Sequence, residues 1–150
     1  EVRGIKMYDD YGHHPTEIVA TLNALREGLM LDRRGGRLYV VFQPHRYTRT
    51  RDLLDDFAKA FMVSDYLIVL DIYPAGEKPI EGINSGLLVN KIREKGLKGA
   101  IYYKEREKAI EGLVKNAVNG DVILTLGAGD VWKMGDLILK ELKKRWEKKD

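Results

Sequence analysis

The stretch that decides the fold is RLYVVFQPHRYTRTRDLLDDF, residues 37–57. Its first part, Arg37 to Gln43, is apolar on both faces of an extended chain, which is typical of a strand covered on both sides of a sheet. A polar and aromatic segment follows the strand. The apolar residues beyond it recur at helical spacing: Leu53, Leu54, Phe57 and Phe61. The stretch therefore predicts one strand, one loop and one helix.

The same unit recurs along the chain. Further short runs rich in strand-forming residues are IKMYDD (5–10), YLIVLD (66–71), GAIYY (99–103) and DVILTL (121–126). Strands that alternate with helices of this length predict an α/β fold. We expect a Rossmann-like three-layer αβα domain over residues 1–150, with a mostly parallel sheet of five or six strands and about five helices.

Three residues are expected at helix starts. Pro15 suits the first turn of the helix after the first strand, because proline lacks the amide hydrogen that a first turn leaves unpaired anyway. Thr48 or Thr50 is expected to cap the second helix, and Ser85 the third, since a hydroxyl oxygen can accept a hydrogen bond from a free amide of the first turn.

Composition narrows the classes of function. The chain has 150 residues, 44% of them hydrophobic, so it can bury the core of one domain. Its formal charge of +3 is small and the excess lies largely in the tail KELKKRWEKKD (140–150), which argues against a nucleic-acid surface. It has no cysteine, no apolar run long enough for a membrane span and no signal peptide at its start. We therefore expect a cytoplasmic protein without nucleic-acid or membrane partners.

The polar residues cluster where strands end. Ligands of open parallel sheets bind outside the carboxyl ends of the strands. Four loops at such ends carry convergent polar or aromatic groups: DDYGHHP (9–15), PHRYTRTR (44–51), DIYPAGEKPIEG (71–82) and GAGD (127–130). The joints from helix to strand hold ordinary turn residues. The pattern predicts a functional site at the carboxyl edge of the sheet.

The two adjacent histidines of the first loop have more than one interpretation. One of His13 and His14 can cap the helix that follows while the other faces solvent. With Asp9, Asp10 and His45 they have ligand atoms suited to zinc, but the chain lacks the helical H-x-x-x-H spacing of many zinc sites. We predict no metal site.

The second loop places cations at the start of a helix. Arg46, Arg49 and Arg51 lie where the helix dipole is positive, which costs about 0.3–1 kcal/mol for each cation. Because guanidinium groups bind carboxylates and phosphates in a bidentate manner, three arginines here suggest an anionic ligand. His45 adjoins them and is a further candidate for substrate binding.

The fifth strand ends in a glycine-rich turn that does not fit a nucleotide motif. A dinucleotide fingerprint, G-x-G-x-x-G, needs a small residue where this chain has Trp132, and no G-x-x-x-x-G-K-[ST] segment is present. We expect Gly127 and Gly129 to form a tight turn whose backbone amides a substrate can approach. The chain alone is not expected to hold ATP.

Two other classes of protein remain open from the residues alone. A receiver-type phosphoacceptor domain has an acidic pair after its first strand and an aspartate after its third, where this chain has Asp9, Asp10 and Asp71. It lacks the supporting Thr or Ser and Lys that such domains carry after strands four and five. A free-standing binding protein for a small anion is the other alternative.

Taken together, four segments resemble the C-terminal domain of the Mur ligase family. They are DDYGHHPTEI (9–18), FQPHRYTRTRDLLDDF (42–57), IYPAGEKPIEGINS (72–85) and LTLGAGDVWKMG (124–135), in the family's order. The second segment is similar to the members that add L-alanine to UDP-N-acetylmuramate. The relatives that recycle murein peptides resemble the first segment but are not expected to carry the second, and they remain the alternative within the family.

The resemblance implies an activity for a full-length parent. Such enzymes are ATP-dependent acid–amino-acid ligases of peptidoglycan synthesis, which serve cell-wall biogenesis, cell shape and cell division. ATP phosphorylates the lactyl carboxylate of UDP-N-acetylmuramate, and the amine of L-alanine attacks the acyl phosphate. By the same resemblance, Asp10 and Tyr11 lie on the nucleotide side and His13, Arg46 and Arg49 are catalytic. The resemblance further implies that His45, Arg46 and Arg49 bind substrate, and Gly127 and Gly129 are expected to bind it through the tight turn described above.

The resemblance also implies partners outside this sequence. The N-terminal UDP-binding domain and the central ATPase domain, which holds most of the contacts to ATP and Mg²⁺, have no counterpart in these 150 residues. We therefore expect the chain alone to lack ligase activity and to act with upstream domains of the same polypeptide.

Overall fold

The computed structural model describes residues 1–148, in which strands and helices alternate as predicted. The elements are β1 (Lys6–Asp10), α1 (Pro15–Leu31), β2 (Leu38–Phe42), α2 (Tyr47–Asp52), α3 (Leu54–Ala60), β3 (Tyr66–Val69), α4 (Ser85–Glu94), β4 (Ala100–Tyr102), α5 (Arg106–Asn116), β5 (Val122–Leu126) and α6 (Lys133–Glu147). The α/β prediction is confirmed. The last two residues of the basic tail lie outside the described range.

The five strands of the described chain form one sheet in the order β1-β5-β2-β3-β4, and every neighbouring pair is parallel. Leu126 of β5 is paired with Asp10 of β1 on one side and Phe42 of β2 on the other, and Phe42 is paired with Val69. These strands therefore end at a common edge. Since β5 separates β1 from β2, the loops after β1 and β2 lie about two strand spacings, or ~10 Å, apart.

Helices cover both faces of the sheet and divide the core in two. Side chains of β2 alternate between the faces: Leu38, Val40 and Phe42 pack with the buried residues of α1, α3 and α4, while Tyr39 and Val41 pack with those of α5 and α6. All five residues of β2 are buried, which explains why its sequence is apolar throughout. The three-layer αβα prediction is confirmed.

The predicted second helix is divided into two in the structure, so the described chain has six helices where about five were expected. Leu53 leaves the helical conformation, with φ −113° and ψ 21°. The break lets α2 remain at the rim while α3 turns toward the core. There, the rings of Phe57 and Phe61 pack on Phe42 with centroids 5.8 and 4.9 Å away.

The predicted caps of two helices were wrong. The hydroxyl of Thr50 donates back to the carbonyl of Arg46 at 2.9 Å and caps nothing, and Thr48 lies inside the first turn of α2. Asn84 caps α4, because its side-chain oxygen accepts from the Leu87 amide at 2.9 Å. Ser85 is buried and donates to the carbonyl of Leu70 at 2.5 Å, which fixes α4 to the end of β3.

No helix in residues 1–148 has both the length and the apolar character needed to cross a lipid bilayer.

Candidate active site

A row of four aromatic rings runs along the carboxyl edge of the sheet and joins three loops. The ring of His13 lies 5.6 Å from that of Tyr11 and 5.7 Å from that of His45, and Tyr73 stacks on the far side of His45 at 5.6 Å. These residues come from the loops after β1, β2 and β3. The structure thus brings together His13 and His45, which the sequence assigned to one site from motifs 32 residues apart.

Asp10 shapes the first loop. Its carboxylate oxygen Oδ1 accepts a hydrogen bond from the Gly12 amide at 2.7 Å, and Oδ2 accepts from the Thr21 hydroxyl at 3.2 Å. A Cβ at position 12 would lie 2.8 Å from Oδ1, so a larger residue would displace the Asp10 carboxylate from this position. Each oxygen keeps one lone pair for a further donor. Tyr11 projects from the same turn with 68% of its surface exposed.

The adjacent histidines have different structural positions. The His14 ring accepts a hydrogen bond from the Thr16 amide at 3.2 Å, while the Glu17 carboxylate accepts one from the His14 amide at 3.1 Å. This capping box begins α1 and lowers the pKa of Glu17, because its hydrogen bond from the His14 backbone favours the ionised carboxyl group. His14 therefore caps the helix, and His13 is the histidine that belongs to the row of rings.

Hydrogen-bond chemistry assigns the tautomer of His45. Nη1 of Arg49 lies 2.9 Å from Nδ1 of His45 and also donates to the His45 carbonyl at 3.1 Å. Arginine has only donors, so Nδ1 must be unprotonated and the hydrogen of the neutral ring is on Nε2. Burial, and then the positive charge of Arg49, lower the pKa of His45. At neutral pH, His45 therefore presents an N–H donor.

His13 has the opposite arrangement. Its Nδ1 lies 3.2 Å from the carbonyl oxygen of Tyr11, which can only accept, and 3.9 Å from a carboxylate oxygen of Glu17. Nδ1 therefore carries the hydrogen, and Nε2 of the neutral ring has a free lone pair. Two histidines with centroids 5.7 Å apart thus supply one proton acceptor and one donor to the same rim.

The three arginines of the second loop are not equivalent. Arg49 is engaged with His45, and Arg51 forms an exposed ion pair with Asp52 at 2.8 Å. The side chain of Arg46 is exposed and forms no hydrogen bond or ion pair with the described residues. Its backbone has φ 73° and ψ 141°, a region that non-glycine residues rarely adopt.

The helix dipole of α2 already has an anionic partner within the chain. Both carboxylate oxygens of Glu77 accept hydrogen bonds from Thr48, one from its amide at 3.2 Å and one from its hydroxyl at 2.5 Å. Glu77 therefore supplies, from within the chain, part of the negative charge that we expected an external anion to bring to this helix start. Of the three arginines, Arg46 alone has a side chain with no hydrogen bond or ion pair to the described residues, although its charge lies near that of Glu77.

The glycines of the turn after β5 are needed for packing. A Cβ at position 127 would lie 2.8 Å from the Gln43 carbonyl, and one at position 129 would lie 2.5 Å from Oε1 of Gln43 and 2.8 Å from the Tyr73 ring. The Gly127 amide donates to the Asp10 carbonyl at 3.1 Å, so it is already engaged. The predicted approach of a substrate to this turn stays a prediction.

A partly buried polar network supports that turn, and the sequence reasoning missed it. Gln43 is 3% exposed; its amide nitrogen donates to Asp130 at 2.9 Å and its oxygen accepts from the Val131 amide at 3.2 Å. Arg106, from the start of α5, donates to the same Asp130 oxygen at 2.6 Å. Burial raises the pKa of Asp130, but the hydrogen bonds from Arg106 and Gln43 outweigh burial and lower it overall. The position of Asp130 after a strand was a usable signal; its partners were not.

The sheet order excludes a receiver domain. Doubly wound sheets of the receiver type have the order 2-1-3-4-5, which places the first strand beside the third. Here β5 and β2 lie between β1 and β3, so Asp10 and Asp71 are about three strand spacings, or ~14 Å, apart. Asp71 instead accepts a hydrogen bond from the hydroxyl of Tyr102.

Residues 1–148 contain no group of three or more His, Asp or Glu side chains arranged to hold a metal ion.

Comparison with known proteins identifies the family. The family model described as Mur ligase, glutamate ligase domain, matches residues 1–129. A UDP-N-acetylmuramate–L-alanine ligase from Geobacter sp. (strain M21) is 50% identical over 143 residues, which cover 95% of this chain and 30% of that protein. The chain thus spans about a third of the length of this curated relative.

Two solved structures show the same fold. A UDP-N-acetylmuramate-alanine ligase from Thermotoga maritima superposes with a TM-score of 0.68 at 23% identity, over 99% of this chain and 28% of that one. A murein peptide ligase from Psychrobacter arcticus 273-4 gives a TM-score of 0.72 at 20% identity, over 94% of this chain and 28% of that one. With the matched family model, these findings show that the chain belongs to the Mur ligase C-terminal domain family.

Proposed function

We propose that this chain is the C-terminal domain of an ATP-dependent ligase that joins L-alanine to UDP-N-acetylmuramate. The relative at 50% identity carries that name, and the segment at residues 42–57 favours it over a ligase that recycles murein peptides. The reaction begins when the lactyl carboxylate attacks the γ-phosphorus of ATP, which yields an acyl phosphate and ADP. The alanine amine then attacks the acyl carbon, and inorganic phosphate leaves.

The observation that carries the proposal is the position of His13, His45 and Arg46 at one edge of the sheet. Their loops follow β1 and β2, and the two histidine rings are 5.7 Å apart. In open parallel sheets, this edge is where ligands bind. The rim combines a guanidinium, an N–H donor and a nitrogen acceptor on neighbouring loops.

Each group has a role that its chemistry supports. The Arg46 guanidinium would bind the carboxylate of L-alanine, for which its planar pair of N–H donors is suited. The N–H of His45 would donate to an oxygen of the acyl phosphate or of the tetrahedral intermediate as negative charge develops there. The free nitrogen of His13 would accept the proton that the amine loses when the amide bond forms.

Arg49 would act partly through His45. Its guanidinium fixes the ring tautomer at 2.9 Å and contributes positive charge near the reacting anions. Asp10 and Tyr11 would lie toward the nucleotide, where the free lone pairs of the carboxylate suit ribose hydroxyls. Gly127 and Gly129 would place the backbone of the last loop against the substrate.

The remaining substrates and contacts would come from other domains of the parent polypeptide. ATP and Mg²⁺ would be held mainly by a central domain and the UDP moiety by an N-terminal one. The rim described here would close over the nucleotide and exclude water from the acyl phosphate, which water would otherwise hydrolyse. The chain alone would then show no turnover.

The test is the substrate dependence of a purified full-length parent. We expect ADP release that requires UDP-N-acetylmuramate, ATP and L-alanine together. A murein peptide offered in place of L-alanine separates the recycling ligase from the alanine-adding one. Turnover with the peptide but not with L-alanine would refute the proposed substrate, and turnover by the 150-residue chain alone would refute the division of labour between domains.

A further inference from the structure

The first turn of α2, which follows Arg46 and contains Arg49, lacks a cap from its own segment. The residue at the cap position is Arg46, whose side chain makes no capping hydrogen bond. The threonine at position 50 bonds back to the Arg46 carbonyl instead. Free amides at a helix start need a partner, so the start of α2 must be fixed by another part of the chain.

Glu77 supplies that partner from the loop after β3. Its two carboxylate oxygens accept separate hydrogen bonds from the amide and the hydroxyl of Thr48, at 3.2 and 2.5 Å. A carboxylate here also interacts favourably with the positive end of the helix dipole. The hydrogen bonds from Thr48 lower the pKa of Glu77, and the nearby charge of Arg46 contributes, so the group is ionised at neutral pH.

Backbone contacts hold the Glu77 loop in register with the Arg46 loop. The Tyr73 amide donates to the Pro44 carbonyl at 2.8 Å, and the Arg46 amide donates to the Tyr73 carbonyl at 2.8 Å. A turn then brings Glu77 back, with its amide donating to the Pro74 carbonyl at 3.0 Å and Ala75 at φ 51°. Arg46 and Ala75 are two of the three non-glycine residues with positive φ in residues 1–148, and both belong to this contact.

We propose that Glu77 is a positioning residue for the amino-acid-binding arginine: by holding the first turn of α2, it sets the direction in which Arg46 enters the site. The inference rests on the proposed function. Glu77 acts through Thr48 and the backbone, and its negative charge would repel a carboxylate or an acyl phosphate. Glu77 therefore leaves the guanidinium of Arg46 free to bind the carboxylate of the amino acid.

The test separates hydrogen bonding from charge in the full-length parent. Glu77→Ala removes both hydrogen bonds, whereas Glu77→Gln keeps both, since the amide oxygen can accept from the Thr48 amide and the amide nitrogen can donate to the Thr48 hydroxyl. Glu81→Ala is the matched control, because Glu81 is an exposed glutamate of the same loop. We expect Glu77→Ala to raise KM for L-alanine by about 10-fold, from two lost hydrogen bonds, with KM for ATP unchanged. Glu77→Gln and Glu81→Ala should stay within about 3-fold of the parent.

A second measurement uses the 150-residue chain and does not depend on activity. Hydrogen exchange of the Thr48 amide should be about 10-fold faster in Glu77→Ala, while the Val40 amide in the central strand exchanges at an unchanged rate. Faster exchange at Thr48 with an unchanged KM for L-alanine would overturn the positioning role. Equal changes in kcat and in every KM would also overturn it, because they indicate general destabilisation. A parent with no alanine-dependent turnover would instead refute the proposed function.

Discussion

Replacing Arg46 by glycine should stabilise the fold while it removes the guanidinium that is proposed to bind alanine. Arg46 has φ 73° and ψ 141°, and hydrogen bonds from its amide to Tyr73 and from Thr50 to its carbonyl hold it there. Glycine adopts this conformation freely because it lacks a Cβ. Arg46→Ala is the matched variant: it also removes the guanidinium but keeps the Cβ and hence the backbone strain.

The magnitude follows from two opposing terms. A non-glycine residue in such a sparsely populated region costs about 1–3 kcal/mol. Glycine gives back about 0.4–1 kcal/mol, because it makes the unfolded chain more flexible. The glycine variant should therefore exceed the alanine variant in free energy of unfolding by about 1 kcal/mol, which is about 2–4 °C in Tm for a domain of this size.

The assay is thermal and urea unfolding of the two variants of the 150-residue chain, followed by circular dichroism. Turnover in the full-length parent should fall in both variants alike. If Arg46→Gly is no more stable than Arg46→Ala, the backbone at this position is not strained and the reasoning fails. Strain kept at this position despite an available remedy supports a functional role for the Arg46 side chain.

Three further variants test the packing and electrostatics of the rim. Gly129→Ala should destabilise the chain by about 1–3 kcal/mol, because the added Cβ would lie 2.5 Å from Oε1 of Gln43. Gly28→Ala in α1 has open space around it and should be neutral or stabilising by up to ~1 kcal/mol. Urea unfolding measures both variants, and equal effects would show that Gly129 is not closely packed. Ser85→Ala should cost about 1–3 kcal/mol in the same assay, because it leaves the carbonyl of Leu70 without its hydrogen bond; a stability equal to that of the unmodified chain would contradict this. Burial and Arg49 lower the pKa of His45 in the folded state, so the neutral ring contributes stability that is complete above pH 6.5 and is lost as pH falls through the lower folded pKa. Between these two pKa values, the free energy of unfolding of His45→Gln should fall less than that of the unmodified chain. An identical pH profile would argue against the lowered pKa.

The fold could be predicted because its signals are local. The run of β2 is buried on both faces, and the spacing of Leu53, Phe57 and Phe61 predicts a helix whose apolar side meets the sheet. The break at Leu53 was not predictable, since it depends on where the end of β2 places the two halves of the helix. The motif DDYGHHP located the rim, but its sequence did not say which histidine caps α1.

The partners of the site residues could not be predicted because they lie far apart in sequence. The Thr48–Glu77 contact spans 29 residues, and the Gln43–Asp130 hydrogen bond spans 87. Neither pair forms a local motif, and both depend on the strand order, which places β2 beside β5 and β3. The Arg49–His45 pair was closer to the reach of sequence reasoning, because only four residues separate the two side chains.

We propose that the rim of His13, His45 and Arg46 binds the amino acid, and kcat/KM for L-alanine in the full-length parent measures this binding directly. Arg46→Ala should lower it by about 10²-fold, equivalent to about 2–3 kcal/mol for a charge-assisted contact. Arg51→Ala removes an arginine of α2 and only breaks an exposed pair with Asp52, so it should leave kcat/KM within about 2-fold of the parent. Equal values of kcat/KM for the two variants would show that Arg46 does not bind the amino acid.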